Sequence, residues 1–102
     1  MSLDVFSKSE IILENPKAMA VVASSAIMPG SVLVAPKKRS PILELVDHEV
    51  LSDVVSLSLK TASRMFESYP CQGTYLVINS GLGAGQTIAH GHIEVVPVTK
   101  DV

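Results

Sequence analysis

The residues best suited to chemistry lie near the end of the chain. They are His90-Gly91-His92-Ile93-Glu94, directly behind Gly81-Leu82-Gly83-Ala84-Gly85-Gln86-Thr87. Two of the chain's 3 histidines fall here. A strand alternates its side chains, so His90, His92 and Glu94 would share one face and Gly91, Ile93 and Val95 the other. A neutral imidazole, with an ordinary pKa of about 6.5, is a competent nucleophile near neutral pH. About ten residues separate Asn79 from His90, where a tight hairpin needs only about two to five. Gly81, Gly83 and Gly85 let the backbone turn its N–H groups toward one point, and Gln86 and Thr87 add side-chain donors. Such a concavity holds phosphate oxygens without Lys or Arg.

Blander and rival readings accompany this one. A strand with one face in water is polar on that face as a rule. His90, His92 and Glu94 also make a two-histidine, one-carboxylate set for a metal. Positions i, i+2 and i+4 are spaced about 6 to 7 Å per step, however, so one ion is hard to clasp with all three, and no fourth ligand is evident. Cys71 has no motif around it to make it a nucleophile.

The elements that must position these groups follow from pattern. Ile11-Ile12-Leu13 reads as a short strand, Glu14-Asn15-Pro16-Lys17 as a turn, and Ala18 to Ser24 as a central strand apolar on both faces. Pro29-Gly30 marks a turn before a strand over Ser31 to Ala35. Connections this short make the three strands antiparallel neighbours. Lys37-Lys38-Arg39 reads as a solvated corner. Ser40-Pro41 would cap and open a short helical turn, and Asp47 caps a long helix running to about Glu67. Leu51, Val55, Leu59, Ala62 and Phe66 form one apolar stripe on it, flanked by Val50, Val54, Leu57 and Met65. One stripe docks a helix on a sheet; the wider arc suggests a second subunit or a broad groove. His48, at the helix start, would face solvent. Thr74 to Asn79 and His90 to Val98 complete an α+β pattern of about five antiparallel strands with one long and one short helix.

Composition sets the outer limits. The 102 residues suit one domain over 1–102, with residues 1–9 polar and patternless. Hydrophobic residues make up 47% and charged ones 18%, which rules out a disordered chain. A net charge of −2 provides no basic field for nucleic acid. A single cysteine precludes an internal disulfide. No secretory signal and no membrane span are visible, so a cytoplasmic protein is expected.

The segment Asn79-x-Gly81-x-x-x-Gly85-Gln86-Thr87-x-x-His90-x-His92-x-Glu94-Val95-Val96-Pro97 closely resembles the histidine-triad family, with its Gly-Gln-Thr/Ser segment followed by His-φ-His-φ-His-φ-φ. Ile11-Ile12-Leu13-Glu14-Asn15 and Pro29-Gly30-Ser31-Val32-Leu33-Val34-Ala35-Pro36-Lys37-Lys38 extend the resemblance, which covers about residues 11–98. It implies a homodimeric nucleotide hydrolase or nucleotidyl transferase (a phosphoramidase or a dinucleoside polyphosphate hydrolase) with no metal or cofactor. By position His92 would attack the α-phosphate and carry a covalent nucleotidyl group. A backbone carbonyl near His90 would orient it, and backbone N–H groups with Thr87 would hold phosphoryl oxygens. Asn79, Gly85 and Gln86 match positions lining the pocket. Three departures stand out. Glu94 replaces the third histidine, which makes either an altered general acid or a weakened enzyme acting as a nucleotide sensor. Ala23 falls where the family has a ribose-binding Asp. Ser7 stands near the place of a zinc-binding cysteine in some members, and Phe6 is matched loosely to the base-binding wall.

Overall fold

A computed structural model describes residues 10–22, 30–68 and 70–99. Its elements, in chain order, are β1 (Ile11–Glu14), β2 (Ala18–Val22), β3 (Val32–Pro36), a 3-10 turn (Leu43–Leu45), α1 (His48–Ser68), β4 (Cys71–Val77), a second 3-10 turn (Leu82–Ala84) and β5 (Ile93–Thr99). The strands make one five-stranded sheet in the order β1-β2-β3-β5-β4, antiparallel throughout. The expected α+β architecture is present, with a 3-10 turn as the short helix.

Period-two alternation builds both faces of the central strands. Ala18, Ala20, Val32, Val34, Ile93 and Val95 point toward α1 and pack on Val54, Leu57, Ala62 and Met65. Met19, Val21, Leu33 and Ala35 point the other way and cluster with Ile88. Burying both faces explains why β2 and β3 read as unbroken apolar runs.

The β1–β2 turn is tied to the helix. Asn15 Oδ1 accepts the Ala18 N–H (2.8 Å), its Nδ2 donates to the Asp53 carbonyl (2.9 Å), and the Lys17 N–H donates to the Asp53 carboxylate (3.1 Å). The Asp47 carbonyl accepts the Leu51 N–H at 2.9 Å, so α1 begins where the sequence suggested.

Two expectations about helices are corrected. Ser40 does not cap the short turn; its hydroxyl donates to the Ile42 carbonyl at 2.9 Å. The stripe of α1 that enters the core is Val54, Leu57, Ala62 and Met65. Val55, Leu59 and Phe66, expected as part of the docking stripe, are exposed. Periodicity finds an apolar arc, but the rotation of a helix about its axis is set by the sheet it meets.

Candidate active site

The strand expected from His90 starts later, at Ile93. The preceding residues are held instead by the segment running from the end of β3 into the first 3-10 turn. His90 Nε2–H donates to the Pro36 carbonyl at 2.8 Å, since a carbonyl only accepts. The Gly91 N–H donates to the Ser40 carbonyl at 2.6 Å. Gly91 also lies flat on that segment: a Cβ there would sit 2.6 Å from Ile42 C and from Leu43 N. The backbone of 90–92 thus pairs with a loop, and the regular β3–β5 ladder begins at Val34–Ile93.

The two histidines have different environments. His90 is 3% exposed. His92 is partly buried, and its Nδ1–H donates to the His90 carbonyl at 2.8 Å. That bond fixes the tautomer and leaves the lone pair on Nε2. The resemblance called for a carbonyl near His90 in this role, and the His90 carbonyl stands there.

Burial holds the His90 imidazole below its usual pKa; the Pro36 bond partly offsets this, and the charges of Arg39 and His92 add to the lowering. The sign of the pH effect follows. The unfolded imidazole takes up a proton near pH 6.5, whereas the folded one resists until lower pH, so the unfolded chain binds more protons between those values. Stability should be full above about pH 6.5 and fall as pH drops through that value. Urea midpoints at pH 7.5 and 5.5 measure the loss, and His90→Gln should flatten it.

The glycine-rich loop differs in part from its expected form. Gly81 (φ 85°) and Gly85 (φ 88°) both take a positive φ, which only glycine adopts cheaply, and Gly85 is in the left-handed region. The amides of Gly81, Ala84, Gly85 and Gln86, however, are used within the loop, on Gln86 Oε1, Gly81 O, Leu82 O and Gly81 O respectively. None of these internal bonds uses the amides of Leu82, Gly83 or Thr87. Gln86, expected to offer donors to a phosphate, is 2% exposed. Its Nε2 donates to the Pro41 and Ile88 carbonyls, each at 2.7 Å, so it is a strut between the loop and the 40–43 segment. Gln86→Ala would strand three main-chain groups and should cost about 2 kcal/mol or more in a urea titration. Asn79 Nδ2 donates to the Ala84 carbonyl at 2.8 Å and closes the loop. Thr87 is exposed.

Glu94 lies on β5 opposite Leu33 of β3 and Val77 of β4, on the sheet face away from α1. The roles of Pro36, Ser40, Pro41 and Gly91 were not foreseen from the residue pattern; the one available signal was a glycine where the motif wants an apolar residue. Ala23, Phe6 and Ser7 lie outside the described residues. Among those described, no group of three or more His, Cys, Asp or Glu is placed to hold a metal ion, and no helix is long and apolar enough to cross a membrane.

The architecture and site together define a histidine-triad-like α+β protein, and known proteins share it. A Hit-like protein from Bartonella henselae superposes with a TM-score of 0.84 at 26% identity, over 92% of this chain and 73% of its own. A hypothetical histidine triad nucleotide-binding protein from Sulfolobus tokodaii gives 0.85 at 23% identity, over 93% and 64%, which speaks to the fold alone. The chain belongs to the HIT domain family, whose model matches residues 6–101. It is 31% identical over 93 residues to the bis(5'-adenosyl)-triphosphatase of Dictyostelium discoideum, covering 91% of this chain but 62% of that protein's length.

Proposed function

We propose that this chain is a nucleotide hydrolase or nucleotidyl transferase acting at an α-phosphate through a covalent intermediate on His92. The observation that carries the reading is the His92 Nδ1–H bond to the His90 carbonyl, which leaves the nucleophilic lone pair on Nε2. Its relation to a bis(5'-adenosyl)-triphosphatase supports a nucleotide substrate. In the first half-reaction the Nε2–P bond forms as the bond to the leaving group breaks. In the second, water attacks phosphorus, the P–N bond breaks and the imidazole returns. The exposed Thr87 hydroxyl and the amides left over by the loop hold the phosphoryl oxygens, where fixed dipoles cost no reorganisation. Asn79 and Gly85 shape the loop, and Gln86 and His90 brace it. Intact-mass spectrometry after mixing with adenosine phosphoramidate or diadenosine triphosphate tests this. A nucleotidyl adduct mapped to His92 is expected. Binding without an adduct would identify a nucleotide sensor instead.

The protein acts as a homodimer in this reading, in the cytoplasm. β4 ends the sheet, its outer edge paired with no other strand among the described residues; it carries exposed Tyr75, Leu76 and Val77, with exposed Ile78 directly after it, while α1, which packs on it, exposes Val55, Leu59 and Phe66. A bare apolar edge strand beside an apolar helix face suits a second copy. Light scattering should report a dimer, and Leu59→Glu should give a monomer. A monomeric wild-type chain would overturn the dimer.

A further inference from the structure

The glycine-rich loop has two stems, and both are tied to the stretch of chain that Gly91 lies on. On the second stem, Gln86 Nε2 donates to the Pro41 carbonyl at 2.7 Å. On the first, Ser80 Oγ donates to the Glu44 carboxylate at 2.8 Å. The two acceptors stand on either side of Ile42 and Leu43, whose main-chain atoms Gly91 touches most closely. The Ser40 carbonyl takes the Gly91 N–H. Leu43 is buried in the core below α1, which fixes the stretch itself. Residues 40–44 therefore set the place of the loop and of the histidine pair together.

The two ties are not alike. Gln86 is buried, whereas Glu44 is exposed and Ser80 half-buried. β4 ends at Val77, so the sheet does not hold Ser80. The other bonds near the first stem, from Asn79 to the Ala84 carbonyl and from the Gly81 N–H to Gln86 Oε1, close the loop on itself and do not orient it. With the Gln86 tie alone the loop could pivot about that point; the Ser80 tie is the second point that stops it. A hydroxyl donating to a carboxylate is a strong, charge-assisted bond, yet a pair in solvent adds little to folding stability. Its effect falls on orientation.

Resting on the nucleotidyl-transfer reading above, we infer that Glu44 and Ser80 are a positioning pair: their hydrogen bond sets the angle at which the loop presents the Leu82 and Gly83 amides to the phosphoryl group that His92 attacks. Neither residue touches the substrate. A misplacement of about 1 Å at a group that holds the reacting atoms costs about 100-fold in rate. A loop that keeps its Gln86 tie moves less, so about tenfold is expected from losing the other.

Steady-state turnover of adenosine phosphoramidate and of diadenosine triphosphate, with thermal melting alongside, tests this. Glu44→Ala and Ser80→Ala should each lower kcat about tenfold on both substrates, while KM changes by less than about threefold, because orientation matters most in the transition state. The melting temperature should stay within about 4 °C of wild type. The double variant should be no slower than either single one, since each removes the same bond. Ser80→Thr and Glu44→Gln, which keep a donor and an acceptor, should recover most of the lost rate. Single variants that keep more than about half of the wild-type kcat overturn the inference. So does a double variant whose losses multiply, or a Glu44→Gln as slow as Glu44→Ala, because the charge and not the tie would then be at work. A melting temperature that falls in step with kcat would make the pair structural and also overturn it. Intact mass of the wild type follows the His92 adduct. An adduct in the wild type with unimpaired variants defeats this inference alone, whereas no adduct with either substrate defeats the nucleotidyl-transfer reading and this inference with it.

Discussion

Replacing His92 by Ala should cut nucleotide turnover by about ten-thousand-fold or more and leave the protein folded, since removing a nucleophile ends the covalent route outright. The side chain is partly buried, and its Nδ1–H donates to the carbonyl of His90. His90 is anchored independently on Pro36, and the core residues Ile93 and Val95 follow on β5. Little of the fold therefore hangs on the His92 ring. The unfolding midpoint should move by less than about 1 kcal/mol equivalent, as for most partly exposed substitutions. A variant that retained a tenth of wild-type turnover would show that the reaction does not pass through this imidazole.

The second large effect is structural. Gly91→Ala adds one methyl group at a point where main-chain atoms of Ile42 and Leu43 would lie 2.6 Å from it. Backbone cannot step aside as the tip of a flexible side chain would. The segment must separate from residues 40–43, and the Gly91–Ser40 hydrogen bond would be lost with it. Overpacking of this sort costs about 3 kcal/mol or more, and about 4–8 °C of melting temperature goes with each kcal/mol in a chain this size. Thermal melting of Gly91→Ala measures it. Activity should fall further than stability, because the residues on either side of Gly91 are the two histidines. A melting point within 3 °C of wild type would show that the close approach is not rigid.

Much of this was legible in the residues, for reasons that also mark the limit. Ala18 to Val22 and Val32 to Pro36 announce themselves because a strand buried on both faces must be apolar at every position. Helix α1 is evident from its periodicity and from Asp47 before it. What escaped depends on partners far away in sequence. Gln86 looks like a phosphate donor until Pro41, 45 residues away, takes its N–H. The strand at His90 looks continuous until Ser40 takes the Gly91 amide. Both stripes of α1 are apolar, and only the sheet decides which is buried. The candidate site was found because its residue types are rare and adjacent; its supports were missed because they are main-chain carbonyls, which carry no residue signature.

That last property has a consequence for how the site tolerates change. Pro36, Ser40 and Pro41 act here through their carbonyl oxygens, which every amino acid possesses. Exchanging the exposed Lys37, Lys38 or Arg39 for other types leaves those oxygens where they are. Inserting or deleting one residue between Pro36 and Ile42 does not: it slides every anchor out of step with the histidines at once. The spacing of this stretch, more than its spelling, is what any redesign or transplant of the site would have to preserve.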